Sequence, residues 1–173
     1  MDLKKYIATI PDFPKPGIQF RDVTTIFDAP EAFNYCIEEL EKFAKEVGAE
    51  AVAGAESRGF VFGAPIAKDL GLPFIAIRKP GKLPRKVISE SYDLEYGSAT
   101  LEMNIDAVKP GQKVLVIDDL LATGGTALAA CHLVEKLGGK VVGCGFVINL
   151  PACKGTEALN DYKIKYLVEF DGD

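Results

Sequence analysis

The run Val114-Leu115-Val116-Ile117-Asp118-Asp119-Leu120-Leu121-Ala122-Thr123-Gly124-Gly125-Thr126 carries the densest chemistry in the sequence. It reads as a buried strand ending in two carboxylates, then a loop of small and hydroxyl residues that opens a helix. Ligands of parallel α/β sheets bind at the carboxyl ends of strands, and a helix entry offers an anion backbone N–H groups that lack intrahelical partners. Gly124 and Gly125 let the backbone approach closely, while Thr123 and Thr126 add hydroxyl donors. The loop is therefore expected to cradle a phosphate. Asp118 and Asp119 beside it suit a polyhydroxylated sugar, since each carboxylate accepts hydrogen bonds from vicinal hydroxyls. A strand ending in Asp also occurs in P-loop nucleotide triphosphatases, but the sequence contains no GxxxxGK[ST], and no GxGxxG follows a strand. The plainer alternative is an ordinary turn with solvated aspartate caps. The length of the run, acids included, weighs against it.

Ala53-Gly54-Ala55-Glu56-Ser57-Arg58-Gly59-Phe60 repeats the layout of strand, turn and helix entry. Its backbone amides, with Ser57 and Arg58, make a second candidate anion site, the alternative being a capped helix with a solvated arginine. Downstream, Arg78-Lys79-Pro80-Gly81-Lys82-Leu83-Pro84-Arg85-Lys86 sets five cations within nine residues of an acidic chain. Arg85 and Lys86 read as a solvated loop. Arg78, Lys79 and Lys82 follow directly on an apolar strand ending at Ile77, which places them near the sheet edge that carries the other two loops. There they can neutralise a multiply charged anion.

Tyr92-Asp93-Leu94-Glu95-Tyr96-Gly97 combines acids and aromatics. A carboxylate in such a segment can serve as general base, and Glu95, Asp93, Glu90 and Glu102 are equivalent candidates by sequence. Ile10-Pro11-Asp12-Phe13-Pro14-Lys15-Pro16-Gly17-Ile18-Gln19-Phe20-Arg21-Asp22 is stiffened by three prolines and equally suits a structural arm.

The elements that must position these residues alternate along the chain. Asp28 precedes Pro30 as an N-cap does, and Phe33, Ile37, Leu40, Phe43, Ala44 and Val47 recur at helical spacing before Gly48. Short apolar strands are expected over 51–54, 73–77, 113–117, 140–150 and 164–170, and helices over 59–70 and 126–137. Unalternating apolar strands between helices indicate a parallel sheet covered on both faces. The stretch 92–101, with Gly97 inside it, reads instead as an antiparallel hairpin or flap.

Bulk properties bound the reading further. A chain of 173 residues fits one domain and buries about two-thirds of its unfolded surface. Its apolar runs are too short and too broken to span a bilayer, and Met1 to Tyr6 lacks a signal-peptide core, so a cytoplasmic location is expected. Cys36, Cys131, Cys144 and Cys153 form no CxxC pair and read as reduced, mostly buried thiols. The lone His132 has no second histidine nearby to share a metal. A net charge of -5 argues against nucleic-acid binding, so any anion site must be local.

The run from Val116 to Thr126 resembles the phosphoribosyl pyrophosphate signature of the type I phosphoribosyltransferases, and its wording is close to that of the adenine phosphoribosyltransferases. The Pro-Asp-Phe-Pro and Phe-Arg-Asp wording of the N-terminal segment, the Ser-Arg-Gly loop, the cationic loop and Leu94-Glu95-Tyr96-Gly97 extend the resemblance over about Ile10 to Leu150. It implies the type I fold, with a small N-terminal hood over about residues 1–30 and a flexible flap over about 81–103. Asp118 and Asp119 would then bind the ribose hydroxyls, and Ala122, Thr123, Gly124, Gly125 and Thr126 the 5'-phosphate. Glu56, Ser57, Arg58, Arg78, Lys79, Lys82 and Tyr96 would bind pyrophosphate, with Lys79 supplied across a dimer interface and a cis peptide at Glu56-Ser57. Glu95 becomes the acid/base and Arg58 a catalytic cation. Phe20 and Leu120 would pack on the base while backbone groups at Gln19 and Arg21 read its edge.

The implied reaction joins adenine to phosphoribosyl pyrophosphate, giving AMP and pyrophosphate in purine salvage by a homodimer. Mg2+ is expected to bind through the substrate, with no direct protein ligand, as its preference for phosphate oxygens and water implies. One rival is an enzyme for hypoxanthine, guanine or xanthine, which shares the sugar chemistry. The other is a regulator that senses phosphoribosyl pyrophosphate and binds DNA through an added domain; the early first motif and the acidity weigh against it.

Overall fold

The computed structural model describes residues 1–94 and 96–172. Strands β1 (Ala8–Pro11) and β2 (Gln19–Asp22) form an antiparallel pair at the N-terminus. Helix α1 (Pro30–Glu46) leads to β3 (Ala51–Ala55), α2 (Arg58–Leu70) and β4 (Phe74–Ile77). A longer antiparallel hairpin, β5 (Val87–Leu94) and β6 (Gly97–Asn104), follows. The chain then runs through β7 (Lys113–Leu121), α3 (Gly125–Lys136), β8 (Lys140–Asn149), the one-turn α4 (Gly155–Ala158) and β9 (Ile164–Glu169).

Five strands form one parallel sheet in the order β4-β3-β7-β8-β9. From β3 the chain crosses over α2 to β4 on one side, whereas from β7 it crosses over α3 to β8 on the other. The loops leaving β3 and β7 therefore part company above adjacent strands, and such a switch point leaves a crevice at the carboxyl edge. The expected α/β architecture is observed. Ile37, Leu40 and Phe43 of α1 and Phe62 and Ile66 of α2 pack with Val52, Leu115, Ile117 and Val147 on one face. Ala130, Leu133 and Val134 of α3 pack with Ala53, Val114, Val116 and Phe146 on the other, joined there by Leu101 and Met103 of β6.

The helix spanning 30–46 starts one residue later than the Asp28 cap implies. Asp28 ends a 3-10 turn, Ala29 takes the cap position without a side-chain bond, and Pro30 stands at the first turn. Strand β7 runs on through both aspartates to Leu121, because its pairing with β8 continues to the Leu121–Asn149 register. Its alternation changes across the aspartates: Leu115 and Ile117 face the α1/α2 core, yet Leu120 faces that core too and Leu121 the opposite one. The proline-rich N-terminal segment contains strands, with Pro11 at the end of β1 where a missing N–H is tolerated.

Cys36, Cys131 and Cys144 are buried free thiols and Cys153 is exposed. Among the described residues, no helix is long and apolar enough to cross a membrane.

Candidate active site

The crevice between the β3 and β7 loops is a cavity of about 390 Å³ lined by Glu56, Ser57, Arg58 and Lys79 on one side and by 118–127 on the other. Small residues make that convergence possible. A Cβ on Gly59 would lie 3.0 Å from Asp118 Oδ1 and 3.2 Å from the Ile117 carbonyl, so the entry of α2 sits directly against the end of β7. Gly124 takes a φ of 89° as the cap of α3, a left-handed conformation that costs glycine little. Below it, Gly155 of α4 approaches the Ala122 carbonyl so closely that no side chain fits between them. Neither α2 nor α3 has a side-chain cap, and although the Phe60 N–H donates to the Ser57 carbonyl, the N–H groups of Arg58 and Gly59, those of the first turn of α3 and the Ser57 hydroxyl are placed to meet an incoming anion.

Charge is distributed unevenly across the cavity. Arg58 Nε donates to Asp119 Oδ2 at 2.6 Å, and Asp119 is 5% exposed. That hydrogen bond, together with the charges of Asp119, Asp118 and Asp22, holds the guanidinium more firmly protonated than usual. Asp118 has no cation of its own. Burial, then the neighbouring Asp119 charge, raises its carboxyl well above the ordinary range. Its Oδ1 accepts the Asp119 N–H at 2.8 Å. Arg58 thus serves Asp119, and the Asp118 carboxyl is left without an ion-pair partner among the described residues.

Glu56 lines the cavity, but its carboxylate is turned to the cationic loop. Oε1 accepts the Lys79 N–H at 2.5 Å and lies 3.5 Å from Arg78 Nε. The peptide between Glu56 and Ser57 is cis, as the resemblance implies.

Of the residues singled out in the sequence, Glu56, Ser57, Arg58, Lys79 and the whole of 118–126 come together. Lys79 lines the cavity of its own chain, with Glu56 fixing its backbone and its side chain exposed. Arg78 and Lys82 do not line it: Arg78 is partly buried against Glu56, with Nη1 3.4 Å from the Lys82 carbonyl, and Lys82 is exposed. Tyr96 is 85% exposed and meets the N-terminal segment, its ring centroid 5.3 Å from Lys15 Nζ. Gln19, Phe20 and Arg21 lie in β2 outside the cavity lining. Phe20 is partly exposed beneath the edge of Phe13, and Arg21 stacks on Phe170 at 4.6 Å while donating to Thr9 Oγ1. Glu95 lies outside the described residues.

Sequence inspection does not mark Gly59 and Gly155 as site residues, nor Tyr92, whose ring would meet a Cβ on Gly125 at 2.9 Å. Gly155 and Tyr92 reach the cavity from distant parts of the chain, and Gly59 abuts the end of β7, so local wording carries no signal for these contacts. Among the described residues no group of three or more His, Cys, Asp or Glu side chains gathers as a metal cage.

Comparison with known proteins agrees with this geometry. Residues 23–171 match the family model described as the phosphoribosyl transferase domain. The chain is 47% identical to the adenine phosphoribosyltransferase of Thermoanaerobacter pseudethanolicus, covering 98% of each chain with a TM-score of 0.94. It is 46% identical to that of Rhodothermus marinus, covering 97% of this chain and 96% of the other with a TM-score of 0.91. The Saccharomyces cerevisiae enzyme, solved with adenine and an imino-altritol bisphosphate, is 38% identical over 96% of this chain and 97% of its own, with a TM-score of 0.90. The family model matched over residues 23–171, and relatives of this identity over nearly the whole length, place the chain in the phosphoribosyltransferase family, among the adenine phosphoribosyltransferases.

Proposed function

We propose that this protein transfers the phosphoribosyl group of phosphoribosyl pyrophosphate to adenine, forming AMP and releasing pyrophosphate. The observation that carries the reading is the single cavity in which two aspartates, a Gly-Gly-Thr helix entry and the Ser57-Arg58 helix entry face one another. Those parts match the parts of the donor: hydroxyls for Asp118 and Asp119, the 5'-phosphate for 122–126, and pyrophosphate for Ser57, Arg58 and the amides of α2. The adenine bound in the yeast relative's structure supports the choice of base.

In this reading, residues 1–30 form a hood whose Phe20 packs on the purine opposite Leu120, with backbone at Gln19 and Arg21 reading the edge. Residues 81–103 form the flap, and Glu95 takes the proton lost from the imidazole edge of adenine. The ring nitrogen bonds to the anomeric carbon as the carbon–oxygen bond to pyrophosphate breaks, and pyrophosphate keeps the electron pair. Arg58 and the α2 amides stabilise that leaving group, aided by the cations of the 78–82 loop. Binding both substrates in line removes the entropy of their encounter, and Tyr96 at the flap tip helps exclude water from the cationic sugar.

Mg2+ fits a site in which two adjacent aspartates, Asp118 and Asp119, share one cavity with the helix entries that would hold a diphosphate. It is proposed to enter with the diphosphate oxygens, whose charge it neutralises. The chain is proposed to act in the cytoplasm as a homodimer, in which the exposed Lys79 side chain reaches the partner's site. Mixing an inactive Asp118→Asn/Asp119→Asn variant with an inactive Lys79→Ala variant should then restore activity through hybrid dimers, and a monomer by sedimentation would end that assignment.

The deciding experiment incubates the protein with magnesium, phosphoribosyl pyrophosphate and each purine in turn, following pyrophosphate release. Adenine should be used in strong preference. Adenine offers a donor at position 6 and an acceptor at position 1, whereas a 6-oxopurine reverses both and leaves two buried groups unpaired. At about 1 to 3 kcal/mol each, discrimination on the order of a thousandfold is expected. Equal turnover of hypoxanthine would reassign the base.

A further inference from the structure

Tyr92 has no role in the reading above, yet both its ring and its hydroxyl meet the loop that enters α3. The hydroxyl is 3.0 Å from Thr126 Oγ1. The ring lies so close over Gly125 that a Cβ there would come within 2.9 Å of it. Further along α3, the same helix is fastened to β5, the strand that carries Tyr92. Lys136 Nζ reaches Glu90 Oε2 at 2.6 Å and the Ser89 carbonyl at 2.8 Å, and His132 Nδ1 lies 3.6 Å from Glu90 Oε1. Strand and helix therefore hold the tyrosine in register with the loop.

We infer that Tyr92 is a positioning residue for Thr126, fixing the direction in which the threonine hydroxyl presents its proton to a phosphate. The inference rests on the proposed reading of 122–126 as the 5'-phosphate loop. A threonine hydroxyl carries one proton and accepts through its lone pairs. Once that proton is given to a phosphate oxygen, Thr126 can only accept from Tyr92, so the tyrosine must be the donor. The relay from Tyr92 to Thr126 to phosphate ends on a charged acceptor, which strengthens its links and selects one rotamer of the threonine hydroxyl. Because Tyr92 belongs to β5, phosphate occupancy and the seating of the β5–β6 hairpin are linked through the same contact.

The test uses Tyr92→Phe, which keeps the ring on Gly125 and removes only the hydroxyl. Calorimetry with ribose 5-phosphate probes the 122–126 loop, and magnesium pyrophosphate probes the Ser57-Arg58 entry. Tyr92→Phe should weaken ribose 5-phosphate about three- to tenfold. Pyrophosphate affinity and Tm should stay at wild-type values, and KM for phosphoribosyl pyrophosphate should rise with kcat nearly constant. In a Thr126→Val background the effect of Tyr92→Phe should vanish, since the shared hydrogen bond is already gone. Unchanged ribose 5-phosphate affinity, equal weakening of both probes, or an effect that persists beside Thr126→Val would each overturn the inference. A wild-type chain that binds neither ribose 5-phosphate nor phosphoribosyl pyrophosphate would instead overturn the phosphate-loop reading beneath it, so the two failures are distinguishable.

Discussion

Arg58 and Asp119, 61 residues apart in sequence, are joined by an Nε–Oδ2 hydrogen bond of 2.6 Å across the floor of the cavity. The aspartate side chain is 7% exposed and the arginine 52%, so the pair compensates a buried carboxylate with a cation that still reaches solvent. It also ties the β3 loop to the end of β7.

Replacing Arg58 with Ala leaves that carboxylate without its partner. Because one end of the pair is solvated, the cost falls between that of a surface and of a buried ion pair, at about 1 to 2 kcal/mol. Urea unfolding should show this loss, and turnover should fall by about a hundredfold through lost stabilisation of the leaving anion. Arg58→Lys should not rescue either, since an ammonium cannot keep the guanidinium's fixed donors on Asp119 and on an anion together.

Asp118→Asn should stabilise the ligand-free protein while weakening sugar binding. The folded protein holds the Asp118 proton more tightly than the unfolded chain, owing first to burial and then to Asp119. Below the ordinary carboxylate range both states are protonated and nothing is lost. As pH rises from there through the raised folded value, the unfolded chain binds fewer protons, and stability falls. The Asn variant escapes that fall, so its Tm should exceed wild type at neutral pH and converge with it under acid. For a chain of this size about 1 kcal/mol shifts Tm by about 2 to 4 °C, which calorimetry resolves. Parallel Tm curves at all pH values would contradict the assignment.

Gly59→Ala places a methyl 3.0 Å from Asp118 Oδ1 and 3.2 Å from the Ile117 carbonyl. A helix ordinarily gains from this change, but crowding against backbone at the end of β7 costs about 1 to 3 kcal/mol. The expected outcome is a lower Tm together with weaker binding of phosphoribosyl pyrophosphate, because Asp118 must move. Titration calorimetry and thermal unfolding check both.

Phe20→Ala should raise KM for adenine by removing a packing face, with affinity for phosphoribosyl pyrophosphate unchanged. Gln19→Ala should leave both at wild-type levels, since the proposed contact there is made by backbone. Steady-state kinetics with each substrate varied in turn separates the two outcomes.

Much of this protein is legible in its sequence. The unbroken apolar strands between helical stretches announce a parallel sheet covered on both faces, and the 114–126 run and the Ser57-Arg58 entry mark the two segments that line the crevice, because chemistry confined to neighbouring residues leaves a local pattern. Strand ends, caps and supports were less legible. The continuation of β7 through Asp118 and Asp119 depends on its partner β8, and the cap of α1 depends on the 3-10 turn before it. Only tertiary structure decided that Glu56 turns to the Lys79 backbone and that Arg58 closes on Asp119. It also decided that Tyr92 rests on Gly125 and that Gly155 lies beneath Ala122. Each of these is a contact between segments far apart in the chain, and a residue's partner at long range is set by how strands order and helices pack, which no local spacing encodes.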